Sequence, residues 1–186
     1  MNVYDFDQTV YYPDSSYHFF LWCLKRYPGK VLPVIPKSLL LALRYKRGKI
    51  GAKTLKEQLF SFLARVDDVD REVDEFWCTH KQNMQKWYLR QKRDDDLIIS
   101  ASPEFLLKPI TQELGTRLIA TKMDPNTGKI QGENCHDREK VVRFLAEFPE
   151  ETIEEFYSDS LSDTPLAEMA KRSYLVNKER LAPWPK

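Results

Sequence analysis

Apolar positions recur with two periods along the chain, and the places where the period changes divide it. Asn2-Val3-Tyr4 is a very short apolar run that reads as a buried strand. From Asp14 the spacing becomes helical. Asp14-Ser15-Ser16 offers N-cap chemistry for an aromatic-rich helix to about Arg26, ended by Pro28-Gly29. A second helical run, about Lys37–Lys46, stops at Gly48, and a third follows Gly51 with Leu55, Leu59, Phe62, Leu63 and Val66 at helical spacing. The fourth carries Val69, Val73, Phe76, Trp77, His80, Met84, Trp87 and Tyr88 as one broad stripe. That stripe predicts one long helix, capped by Asp67 or Asp68 and packed on other helices.

Past Asp94-Asp95-Asp96 the strand pattern returns. Leu97-Ile98-Ile99 reads as a buried parallel strand, and Ser102 before Pro103 predicts a helix start. Pro109 is expected to kink that helix and Gly115 to end it. Arg117–Lys122 is the next strand, and Pro125-Asn126-Thr127-Gly128 turns it so that Lys129-Ile130 pairs back as a hairpin. A helix from about Asp137 to Glu147, a strand at Ile153–Tyr157, a helix opened by Pro165 and a last strand at Tyr174-Leu175-Val176 complete the series. The alternation predicts an α/β fold with a doubly wound, mostly parallel, Rossmann-like sheet. Residues 1–12 and 93–186 form that core. Residues 13–92 form an all-helical insertion at the carboxyl end of the first strand, where ligands bind in such sheets.

Composition narrows the classes. A chain of 186 residues can bury a real core. Lys+Arg at 29 against Asp+Glu at 28 gives no electrostatic case for a nucleic-acid partner. Cys23, Cys78 and Cys135 are far apart and odd in number, which argues for a reduced cytoplasm over a disulfide framework or zinc site. With Asp5 and Asp7 near the amino end, no signal peptide is expected. The apolar stretch Val31–Leu43 contains Pro33, Pro36 and Lys37 and is too short to span a bilayer. Beside the basic run Arg44–Lys49, it does raise peripheral contact with a membrane surface.

The candidate chemistry lies at strand ends. Asp5 and Asp7 follow the first strand, and alternation projects both to one side with Phe6 turned to the core. Two carboxylates so placed repel, and ask for a metal ion or a shared proton. Ser100 closes the second core strand, before a helix N-terminus of the kind that binds phosphate. Lys140 falls in the first turn of its helix, where the macrodipole disfavours a cation unless an anion answers it; Arg138 is the competing cation. Asp159 and Asp163 follow another strand with D-x-x-x-D spacing. Each has a blander reading as a solvated turn, turn hydroxyl, solvated lysine or helix cap. Their order and common position outweigh these.

That order resembles the haloacid dehalogenase-like superfamily of phosphotransferases. Its DxDx[TV] motif matches Asp5-Phe6-Asp7-Gln8-Thr9, its strand-closing Ser or Thr matches Ser100, its lysine matches Lys140, and its DxxxD matches Asp159…Asp163. With the helical insertion after the first motif, the chain is similar to the phosphoserine-phosphatase-like branch with a small helical cap. Asp137 departs from the glycine that relatives often carry there. The resemblance implies a phosphatase using Mg²⁺. Asp5 is then the nucleophile that forms an aspartyl-phosphate, and Asp7 the general acid and base. Asp5, Asp7 through its backbone carbonyl, and Asp159 hold the metal. Ser100, Ala101, Lys140 and Thr9 surround the phosphoryl oxygens, and Asp163 fixes Lys140 or a metal-bound water. In phosphoserine phosphatases an acidic residue shortly after the first motif pairs with the substrate amine, a position Asp14 approaches. The third insertion helix offers lysines where those enzymes use arginine. The expected substrate is therefore a larger, partly apolar or lipid-type phosphomonoester. Phosphoserine hydrolysis and a non-catalytic phosphate-binding or membrane-associated module stand as alternatives.

Overall fold

A computed structural model describes residues 1–185. β1 (Asn2–Tyr4), β2 (Leu97–Pro103), β3 (Arg117–Thr121), β4 (Glu155–Ser158), β5 (Arg172–Asn177) and β6 (Arg180–Pro183) form one sheet in the order β3-β2-β1-β4-β5-β6. All neighbours are parallel except the β5–β6 pair. Side-chain alternation assigns the two faces. Val3, Leu97, Ile99, Ile119 and Phe156 pack toward α8 (Arg138–Glu147) and α9 (Thr164–Ala167). Tyr4, Ile98, Ala120 and Tyr157 face the other layer, which includes α7 (Glu104–Leu114). This is the expected doubly wound, mostly parallel α/β fold.

Between β1 and β2 stand α1 (Ser15–Arg26), α2 (Pro28–Val31), α3 (Ile35–Lys46), α4 (Ala52–Phe60), α5 (Val69–His80) and α6 (Lys86–Gln91). Asp14 caps α1 by accepting the Tyr17 amide, and Asp68 caps α5. The buried Glu72 of α5 accepts from Trp22, Tyr27 and Arg26 at 3.1, 2.7 and 2.8 Å, tying α1 to α5. These helices do not close off a core of their own. Phe19, Phe76, Trp77, Trp87 and Tyr88 belong to the same buried cluster as Tyr4, Leu106 and Tyr157. The Trp77 indole donates to the Leu106 carbonyl at 2.6 Å, and Tyr4 stacks on Tyr157 with centroids 4.8 Å apart. Among the described residues no helix is long and apolar enough to cross a membrane.

Four local expectations are corrected. Pro28 opens α2, because its missing N–H and fixed φ suit the first helical position. The long fourth helix breaks after His80 into a 3₁₀ turn, and Met84 extends to bridge Tyr11 before α6 begins. Its apolar stripe continues through the break, so periodicity alone could not show it. Ser102 stays in β2 and Pro103 takes the N-cap position. Lys129-Ile130 returns only as an isolated Met123–Ile130 bridge. The edge strand β6 was not foreseen, since Arg180-Leu181-Ala182-Pro183 is exposed throughout and ends in proline.

Candidate active site

β1 is the switch point of the sheet: β2 and β3 lie on one side, β4 and β5 on the other. Asp5 leaves its carboxyl end with its amide still bonded to the Tyr157 carbonyl at 2.8 Å, which fixes the backbone beneath the carboxylate. Lys140 of α8 is fully buried and donates to Asp5 Oδ1 at 2.6 Å and to Asp163 Oδ2 at 2.7 Å. Ser158 also donates to Asp163 Oδ2, at 2.7 Å. Burial alone would lower the lysine's pKa, but the two carboxylates hold it above its usual range. Arg138, the competing cation, is exposed. Asp137 takes φ 55° and ψ −128° at the N-cap of α8, a conformation that favours glycine.

Asp7 is held from two sides. The Ser15 amide donates to Oδ1 at 2.6 Å, and the Ser102 hydroxyl donates to Oδ2. Ser102 in turn lies 2.7 Å from the Ser16 hydroxyl. Burial, reinforced by Asp14, pushes Asp7 up to about 6. Asp5 is pushed up to about 7 by burial, with Lys140 opposing and Asp163 adding to it. Asp159 rises to about 7 through burial and the charge of Asp5. One lysine thus leaves this carboxylate cluster short of positive charge, and a hard divalent cation would supply it. Among the described residues no three carboxylate, imidazole or thiolate groups close a metal site by themselves. With the Asp7 carboxylate already engaged, the donors on offer are the Asp5 and Asp159 carboxylates and the Asp7 backbone carbonyl. That all-oxygen set fits Mg²⁺, which keeps several waters.

The remaining expected residues fall as follows. Ser100, expected to close its strand, is buried in the middle of β2, which runs on to Pro103 after a register shift that follows Ser100; the register Tyr4↔Ile98 sets Asp5 beside Ile99. Its hydroxyl accepts the Ser102 amide at 3.0 Å. Ala101 follows, its carbonyl already taken by Lys56 and Thr121. Thr9 is fully buried, and its hydroxyl accepts the Asp159 amide at 3.0 Å, so its contact is with the Asp159 loop.

Two participants were not singled out by the sequence. Ser102 was read as a helix start, and its link to Asp7 spans 95 positions. Lys56 of α4 reaches the site from the insertion, donating to the Ala101 carbonyl at 2.6 Å and to Asn134 Oδ1 at 2.9 Å. Burial lowers its pKa. Its neighbours brace it. Lys53 donates to the Gly132 carbonyl, Glu57 accepts the Ile130 amide at 3.0 Å, and Gly128 lies under Phe60. A Cβ at Gly128 would stand 2.3 Å from the Phe60 oxygen, so glycine is required there. Beside Lys56 opens a mostly apolar cavity of about 400 Å³, lined by Tyr17, Phe20, Tyr45, Leu55, Leu59 and Phe60, with Asp14 and Ser16 at its polar end.

A lysine-paired carboxylate thus stands at the switch point of a mostly parallel α/β sheet, with further carboxylates beside it. The haloacid dehalogenase-like hydrolase model matches residues 3–168, and the chain belongs to that family. Protein CicA of Caulobacter vibrioides is 27% identical over 181 residues, covering 90% of this chain and 82% of that protein. A protein described as a probable phosphatase of Mycobacterium tuberculosis is 35% identical over 94 residues, 46% of this chain and 33% of its own. Among solved structures, a Bordetella pertussis protein of unknown function superposes with a TM-score of 0.73 at 25% identity, covering 93% of this chain and 87% of that one. A phosphoserine phosphatase captured as a phospho-aspartyl intermediate analogue gives a TM-score of 0.57 at 14% identity over 92% and 83% of the two chains. The fold is that of the phosphoserine-phosphatase-like structures, and the chain is a haloacid dehalogenase-like hydrolase.

Proposed function

We propose that this enzyme is a Mg²⁺-dependent phosphomonoesterase that works through an aspartyl-phosphate on Asp5, with the insertion acting as its cap. The observation that carries this reading is Asp5 itself: a buried carboxylate fixed at the switch point, gripped by Lys140, with a second carboxylate of raised pKa two residues on. Asp5 Oδ attacks phosphorus and the bond to the leaving oxygen breaks, that oxygen taking the proton of Asp7. Water then attacks phosphorus, gives its proton to Asp7, and the bond to Asp5 breaks, releasing phosphate. Burial keeps Asp7 near the pH at which it can both give and take that proton. Lys140, Ser100 and the Ala101 amide stabilise the transferring phosphoryl oxygens. When bound, Mg²⁺ neutralises Asp5 and the phosphate so that the two anions can meet.

The metal leaves a pH signature. Asp5 and Asp159 rise from an ordinary 3.8 to about 7, so the stability they contribute is complete below about 4 and lost as pH rises through about 7. Mg²⁺ replaces the lost protons. It should therefore raise the melting temperature more at pH 8 than at pH 5.5, and EDTA should abolish turnover until Mg²⁺ is restored. Equal shifts at both pH values, with a chelation-proof rate, would refute the assignment.

The substrate reading rests on the apolar cavity. Lys56 stands beside it and lacks the planar fork with which arginine grips a carboxylate. The leaving group is therefore larger and partly apolar, an amphiphilic or lipid-type phosphomonoester, and phosphoserine is the poorer substrate. Two buried methylenes at ~0.8 kcal/mol each give about tenfold. An n-alkyl phosphate should exceed L-phosphoserine in kcat/KM by at least that factor, and a preference for phosphoserine would return Asp14 to amine recognition. We infer a reducing cytoplasm as its setting, which three free cysteines suit.

A further inference from the structure

The face of α3 that points away from the protein is built of leucine. Val34, Ser38 and Leu41 turn inward, while Leu39, Leu40 and Leu43 are 63%, 58% and 54% exposed. Pro36 and Leu32, about one and two turns earlier, are also exposed. Scattered surface leucines need no explanation, but a contiguous helical ridge of them marks a surface that meets something apolar. The charge around the ridge says what. Lys37, Arg44, Lys46, Arg47 and Lys49 flank it, all exposed, and among the described residues none has an ion-pair partner. Between Ser15 and Lys56 the sequence holds ten Lys or Arg and no Asp or Glu, in a chain whose overall net charge is +1.

We propose that α3 is a membrane-docking helix that seats its leucine ridge in the surface of an anionic bilayer, with the flanking lysines and arginines on the lipid headgroups. A leucine face rimmed by unpaired cations is what an interfacial helix presents. Lysine and arginine stems cover apolar surface while their charges stay at the headgroup level. A second copy fits poorly, because an isologous contact would set this uncompensated positive face against itself. Tyr45, on the same helix, lines the apolar cavity beside Lys56, so the docked face adjoins the route by which an amphiphile would arrive. The inference deepens the proposed substrate class but rests on the α3 surface alone, so vesicle binding and phosphatase activity can fail separately.

The test is sedimentation of the full chain with phosphatidylcholine vesicles with and without 30% phosphatidylglycerol, at low and high salt. The expected result is binding to the anionic vesicles only, weakened at least tenfold by high salt. Leu39→Ser/Leu43→Ser should release the protein from these vesicles, and Arg44→Glu/Arg47→Glu should do the same. Both variants should keep wild-type circular dichroism and p-nitrophenyl phosphate hydrolysis. The proposal is overturned if the wild type stays in the supernatant, or if the leucine variant binds as the wild type does. It is equally overturned if light scattering shows a dimer that the leucine substitutions dissociate.

Discussion

Asp5→Asn should be inactive and no less stable. Removing a catalytic nucleophile costs hydrolases on the order of 10⁶-fold in turnover, so the variant should show no burst and no steady-state release of phosphate. The stability half of the result follows from the raised pKa. At pH 8 the ionised Asp5 is held against the burial that pushed it up to about 7, and asparagine removes that cost while keeping the shape. Lys140 retains its bond to Asp163. The melting temperature of Asp5→Asn should equal or exceed that of the wild type at pH 8, with the gap closing at pH 5 as the wild-type carboxylate takes its proton. Turnover within tenfold of the wild type would end the aspartyl-phosphate reading. A large fall in stability at pH 8 would show that Asp5 serves the fold.

Lys140→Met reverses the sign. Two buried carboxylates lose their shared cation, and breaking a buried pair from one side costs about 3–5 kcal/mol. Urea denaturation at pH 7.5 should show a loss of that size, together with lost activity. The loss should shrink toward pH 5, because Asp5 without its lysine takes a proton more readily still. It should also shrink in the double variant Asp5→Asn/Lys140→Met, where one of the stranded charges is absent. Strict additivity of the two substitutions would mean that the 2.6 Å contact carries no coupling.

β1, β2 and β4 and the polar residues that come after their apolar runs were legible because each is a short apolar run followed by a polar motif. Asp5 and Asp159 follow the ends of β1 and β4, and Ser100 ends the regular pairing of β2 with β3; the topology brings these strands side by side. Lys140 was legible for a different reason: a cation in the first turn of a helix needs an anion nearby. Lys56 was legible only as one of the lysines of the third insertion helix, and nothing in its spacing separated it from Lys53; its bonds to Ala101 and Asn134 single it out. Ser102 was hidden by its own sequence, since Ser-Pro is helix-start chemistry whatever the serine's hydroxyl later finds. The break at residues 81–84 was invisible because apolar spacing survives it.

The buried cluster that runs from Tyr4 through Trp77 and Tyr88 to Phe19 has a consequence for how such an enzyme can change over generations. A helical insertion mortared into the sheet cannot be exchanged wholesale with that of a distant cousin, because the graft would leave Tyr4, Leu106 and Tyr157 without their neighbours. Adaptation to a new leaving group would then proceed by single substitutions at positions such as Tyr17, Tyr45 and Leu55, which line the apolar cavity and lie outside that buried cluster.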